Sequence, residues 1–181
     1  MSATEILRED HLHVKRLEHI IIKCYEALYR EEDVPFSDIE KITMIITEFL
    51  DAIHHAREEN SYFPCVGPSG DFEADVRKFL IEHEFGRKIA VQITHHLGKW
   101  KSGEEDREPV ARFLRTYAIY LMDHLSKEDK FFDEAEKALD PAEEKEMSDY
   151  FLAAKAAAQR VDELVKEIDD LETRNWYRAE H

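Results

Sequence analysis

Two short segments of this chain place the same residue types at the same spacing. His54-His55-Ala56-Arg57-Glu58-Glu59 runs on to Tyr62-Phe63, and His124-Leu125-Ser126-Lys127-Glu128-Asp129 runs on to Phe131-Phe132. Each is His-x-x-x-Glu with a basic residue before the Glu, an acid after it and aromatics beyond. On an α-helix, residues i and i+4 lie one turn apart on the same face. An imidazole and a carboxylate so placed can point at one metal ion. A further His precedes each segment: His11 stands 43 residues before His54, and His83 stands 41 before His124. The repeat predicts a dinuclear metal site built from His11, His54, Glu58, His83, His124 and Glu128.

The physical case for metal is the cost of the alternative. All six residues fall on apolar helical stripes, where an unpaired carboxylate is expensive and an imidazole needs partners. Two cations supply the missing charge. Imidazole suits iron, copper, zinc or nickel, and carboxylates that can bridge narrow the choice toward paired iron or manganese. Two His per metal and two bridging Glu leave room for an oxo or hydroxo bridge and an exogenous ligand. The plain reading of Glu58 and Glu128, exposed acids paired with Lys or Arg, conflicts with their register with His54 and His124. Other motifs fail. HExxH is absent, because Arg87 follows His83-Glu84 where a second His would be needed, and there is no Gly-rich phosphate loop.

Five helical segments must position these residues. The first is expected from about Thr4, as N-cap, to Arg30, with His11 in the stripe of Leu7, Val14, Leu17 and Ile21. The second runs from Ser37 or Asp38, with Ser37 and Glu40 as a capping box, to Phe63, where Pro64 stops it. The third covers about Asp71 to Lys101. The fourth covers Pro109 to Leu139, and a fifth, opened by Pro141, packs on the others without contributing a ligand. Breaks fall at Glu31 to Ser37, Pro64 to Gly70, Ser102 to Pro109 and Asp140-Pro141. The tail from Arg174 to His181 is expected to fray. The reading is all-α: an antiparallel up-down-up-down four-helix bundle over residues 1–140, with an additional C-terminal helix over 141–181. The repeat of His then His-x-x-x-Glu relates the two halves of the bundle by a pseudo-twofold axis.

Composition narrows the class. A chain of 181 residues with 43 % hydrophobic residues and only 5 Gly and 5 Pro suits one helix-rich globular domain. A net charge of -16 and no basic patch argue against nucleic acid. Met1-Ser2-Ala3-Thr4 leads into a helix without a signal-peptide pattern, and no apolar run is long enough for a bilayer, so a cytoplasmic protein is expected. Cys24 and Cys65 form no CxxC or disulfide framework. Cys65 is expected to be an inert buried thiol.

The pattern resembles the hemerythrin-like, or HHE cation-binding, family. It comprises Asp10-His11, His54-His55-x-Arg57-Glu58-Glu59 ending in Tyr62-Phe63-Pro64, Glu82-His83-Glu84-x-Gly86-Arg87, and His124-x-x-x-Glu128, and covers about residues 4 to 139. The resemblance implies a four-helix bundle with two iron ions. It implies His11 and His54 on one, His83 and His124 on the other, and Glu58 and Glu128 bridging. Manganese or zinc is the lesser alternative. The chain departs from the oxygen carriers at Arg87, which stands where they have a fifth His. His55, Glu59 or a tyrosine (Tyr25, Tyr62 or Tyr117) is the candidate to fill that gap, although for His55 and Glu59 a role in supporting the ligands, or at the surface, is the favoured reading.

The functions expected are two. One is a protein that binds or senses oxygen, or iron. The other is a redox enzyme acting on hydrogen peroxide, nitric oxide or oxygen, for which Tyr117, seven residues before His124, is a candidate proton or radical source, although packing in the bundle core is the favoured reading of that side chain. An iron store or a metal-free structural bundle ranks last, since one dinuclear site stores little.

Overall fold

A computed structural model of the protein describes residues 1–67 and 70–179. Pro68 and Ser69 of the second expected break, and Glu180 and His181 of the tail, lie outside the described residues. Among the described residues the structure is all-α, without strands.

Four long helical elements form the bundle. Helix α1 is Ala3–Tyr29. Its first turn is closed by a capping box one position earlier than expected. Ser2 Oγ accepts from the Glu5 amide at 3.1 Å, and the Glu5 carboxylate accepts from the Ser2 amide at 2.6 Å. Thr4 is therefore not the cap. It lies inside the helix, donates its hydroxyl to Glu144 at 2.9 Å and shares a hydrogen bond with the Tyr62 hydroxyl.

Helix α2 is a continuous helical run over residues 36–66. It begins as α-helix at Phe36–Ile45, widens to π-helix at Ile46–His55 and again at Glu58–Tyr62, and ends as the α-helical turn Phe63–Val66. The Ser37–Glu40 capping box does not form. The helix starts directly after Pro35 with no side-chain cap, so Ser37 already lies within the first turn. Pro64 does not stop the run at Phe63; it sits in the last α-helical piece, which follows the π-helical stretch without a break and ends at Val66. Thr47 donates its hydroxyl to the Thr43 carbonyl one turn back, at 2.9 Å, which competes with regular i→i−4 pairing where the widening begins.

Helices α3, Glu73–Ser102, and α4, Glu108–Ala138, complete the bundle. Gly103 ends α3 at φ 81°, a left-handed cap that favours glycine. In the bundle, α1 packs on α4, α4 on α3, α3 on α2 and α2 on α1.

The single fifth helix expected from the sequence is two. Helix α5, Pro141–Ala153, and α6, Lys155–Leu171, meet at Ala154, whose ψ of 65° breaks the helical path. The two halves serve different parts of the core. Met147 and Phe151 of α5 join a Phe-rich cluster with Leu7, Phe63, Phe131 and Phe132. Leu164, Ile168 and Leu171 of α6 join the aliphatic cluster at the other end. The expected frayed tail instead forms the helical turn α7, Asn175–Arg178, in which buried Trp176 donates its indole N–H to Asp38 at 2.9 Å. No helix of the described residues is long and apolar enough to cross a membrane. Cys24 is buried in the aliphatic core, whereas Cys65, on the outer side of the last turn of α2, is only partly covered, so the buried-thiol expectation fails there.

Candidate metal centre

The six residues singled out by spacing meet at one level of the bundle, between the two apolar clusters. His11, His54, His83, His124, Glu58 and Glu128 are all buried, and the two Glu side chains are 0 % exposed. Their ligand-bearing atoms form two groups. His11, His54, Glu58 and Glu128 make one; His83 and His124 make the other, together with His55.

The distances within these groups suit ligands of common ions. Two donors about 2.1 Å from one ion, at a right angle, lie roughly 3 Å apart. The Nε2 atoms of His83 and His124 are 3.2 Å apart. His54 Nε2 is 3.3 Å from Glu58 Oε1, and His83 Nε2 is 3.5 Å from Glu58 Oε2. Glu58 thus turns one oxygen toward each group. Glu128 reaches both groups as well, with Oε2 3.3 Å from His11 Nε2 and 3.2 Å from His124 Nε2, and Oε1 3.9 Å from His83 Nε2.

The outer side of each ring is held by a carboxylate. His11 Nδ1 donates to Asp129 and His83 Nδ1 to Glu59, both at 2.8 Å. His124 Nδ1 donates to Glu82 at 2.8 Å, and His54 Nδ1 lies 3.4 Å from Asp10. His55 follows the same rule, with Nδ1 3.4 Å from Asp51. An ionised carboxylate only accepts, so each contact places the proton on Nδ1 and aims Nε2 inward. Each carboxylate is in turn held by a cation: Asp129 by Lys15 at 2.8 Å, Asp10 by Arg57 at 2.6 Å, Glu59 and Asp51 by Arg87 at 2.7 and 2.6 Å, and Glu82 by Lys127.

The pairing follows the pseudo-twofold repeat. The acid before the His of α1 serves the His of α2, and the acid before the His of α3 serves the His of α4. The acids after Glu58 and Glu128 serve His83 and His11. The basic residue before each Glu holds the acid that precedes the other helix's His. Of these acids only Glu59 was expected beside the site but outside the ligand set; Asp10, Asp51, Glu82 and Asp129 were not singled out as ring supports from the sequence. Three of these four are direct neighbours of a predicted ligand, which was the available signal.

The inward side has unmet demand. The Nε2 atoms of His11, His54 and His55, and both oxygens of Glu58 and of Glu128, are buried without a hydrogen-bond partner. Burial and the nearby charge of Glu128 push the Glu58 carboxyl well up. Burial would raise Glu128 too, but the imidazoles of His124 and His11 hold it well below the usual carboxylate range. Burial also opposes a charge on His124, yet Glu128 and Glu82 outweigh it and lift this ring to about 9. His55 is driven well down by burial and by His83, His54 and His124 around it, so it stays neutral. Partnerless buried carboxylates beside inward-facing imidazoles fit a divalent or trivalent metal pair, whose charge would compensate the one and whose open orbitals would take the other.

The candidates for the missing fifth position are also placed. Glu59 is engaged with His83 and Arg87 on the outer side. Tyr62 bonds Thr4, and Tyr25 is half-buried at the far, aliphatic end. Tyr117 lines a cavity of about 470 Å³ that lies between α2 and α3 and has His55, Asp51, Gly86 and Arg87 on its wall. A tyrosine that spacing did not flag, Tyr120, stacks on the His124 ring with centroids 5.5 Å apart. Gly86 makes room for it: a Cβ there would lie 2.6 Å from the Tyr120 ring.

No curated protein and no solved structure matches the sequence. The family model described as the hemerythrin HHE cation-binding domain matches residues 2–135, which takes in all but the last three residues of the four helices and all of their inward-facing His and Glu, and the chain belongs to that family.

Proposed function

We propose that this protein holds a pair of iron ions bridged by Glu58 and Glu128, and that it binds or senses oxygen, or iron, there. One observation carries the reading. The inward-aimed imidazoles, each with Nδ1 on a carboxylate, surround two Glu side chains whose four oxygens lack any partner. His11 and His54 are assigned to one ion, and His83 and His124 to the other. Bound iron would supply open positions for a small exogenous ligand and the capacity to change oxidation state. The protein's part is to orient the rings, to bring bridging oxygens, and to keep water out with Phe79, Phe131 and Phe132 on one side and the aliphatic cluster on the other.

The test is anaerobic loading with ferrous iron followed by oxygen, with the visible spectrum recorded. The expected result is a charge-transfer band that appears with oxygen and bleaches when oxygen is removed. A spectrum unchanged by iron and oxygen would contradict the proposal. The cavity reaching His55, with Tyr117 on its wall, favours a second reading: a redox enzyme acting on hydrogen peroxide, nitric oxide or oxygen. Irreversible oxidation in the same experiment, with peroxide turnover at catalytic protein levels, would select it.

A further inference from the structure

We propose that His55 of α2 is a fifth imidazole ligand, completing a three-imidazole seat with His83 and His124, and that Arg87 is the residue that positions it. This rests on the reading that the centre holds two metal ions.

The ligand-bearing atoms of His55, His83 and His124 lie within 4.8 Å of one another. His55 is 2 % exposed and its Nε2 has no partner, a costly state for a residue that only fills space. Its ring stacks on that of His83, with centroids 3.7 Å apart and planes 15° from parallel, so one of the two rings must turn for both to aim an in-plane nitrogen at a shared ion. The backs of the two rings are tied by a single guanidinium. Arg87 Nε donates to Asp51 Oδ1 at 2.6 Å, and a terminal nitrogen donates to Glu59 Oε1 at 2.7 Å. Those two carboxylates hold Nδ1 of His55 and of His83. A planar fork can brace two carboxylates at fixed separation, which an ammonium does poorly.

The pseudo-twofold repeat sharpens the point. His54 and Glu58 correspond to His124 and Glu128, so His55 corresponds to Leu125 and Asp51 to Leu121. Both leucines are buried. Similarly, Arg87, four residues after His83, corresponds to Lys15, four after His11. Lys15 holds one ring-supporting acid, Asp129; Arg87 holds two. One half thus carries an acid–imidazole pair where the other carries a buried Leu pair, and the same half carries the cation that supports it. The π-helical widening of α2 permits this, since it turns the neighbours His54 and His55 both inward, one to each group.

The test uses cobalt(II), titrated under nitrogen into the full chain, with metal counted after desalting. The wild type is expected to bind two ions. His55→Phe keeps a ring to stack on His83 but has no donor, and is expected to keep one ion while the other is weakened at least about 100-fold. Arg87→Lys is expected to weaken the same ion about 10-fold and leave the first unchanged. A separate readout needs no variant. Proton NMR of the di-cobalt wild type should show five paramagnetically shifted, exchangeable Nδ1 protons. Four such protons, or His55→Phe retaining two ions at wild-type affinity, would overturn the inference while leaving the metal pair intact. A wild type that binds fewer than two ions would instead sink the reading beneath it.

Discussion

At the scale of single residues, the centre is an exchange of stability for binding capacity. Glu58 is wholly buried and both its oxygens lack partners. Metal-free Glu58→Met is therefore expected to be more stable than metal-free wild type, by about 1–3 kcal/mol in chemical denaturation. The same variant should lose its metal pair, so the order of stability reverses when metal is present. A variant that still holds two irons per chain would refute the bridging role of Glu58. His124 gives a second prediction. Its pKa in the metal-free protein is lifted from 6.5 to about 9 by Glu128 and Glu82, against burial. A raised folded-state pKa gives stability that is complete below about 6.5 and lost as pH climbs through about 9. The melting temperature of the metal-free protein should fall across that window. The metal-loaded protein, whose ring is already deprotonated, should not follow it. A metal-free melting temperature flat from pH 6.5 to 9 would contradict the assignment.

At the scale of elements, what was legible followed from a single period. The i, i+4 rule located His54 with Glu58 and His124 with Glu128. The apolar stripes placed His11 and His83 on inward faces, as the structure also does. His55 could be offered only as one of several candidates for the fifth position, because an α-helix turns about 100° per residue, which sends the neighbour of an inward residue sideways. The π-helical run Ile46–His55 breaks that rule, and no residue pattern announced it. The Ser37–Glu40 pair resembled a cap but lay behind Pro35, and the break at Ala154 carries neither Gly nor Pro. The tail was expected to fray because local sequence does not show that Trp176 finds Asp38 across 138 residues. Trp176→Phe removes that donor from a buried acid otherwise held by Arg174, and should cost about 1–3 kcal/mol. Between α3 and α4, Gly86→Ala would drive a methyl group into the Tyr120 ring and displace it from His124. The expected cost is about 1–3 kcal/mol in thermal or denaturant unfolding. An unchanged midpoint would mean that the ring moves freely.

At the scale of the molecule, the centre is where all four bundle helices meet: α1 brings His11, α2 His54 and Glu58, α3 His83, and α4 His124 and Glu128. A ligand bound only by the folded state stabilises the whole domain in proportion to its affinity. At a metal concentration a thousand-fold above the dissociation constant the gain is about 4 kcal/mol, or roughly 10 °C for a chain of this size. A chelator should remove that increment, and re-addition of metal should restore it. The most direct test of the central claim is the Mössbauer and EPR spectrum of protein loaded with ⁵⁷Fe and exposed to air, with iron counted per chain. Two irons per chain in an antiferromagnetically coupled, EPR-silent ferric pair is the predicted result. One iron per chain with the EPR signal of an isolated high-spin ferric ion would contradict it.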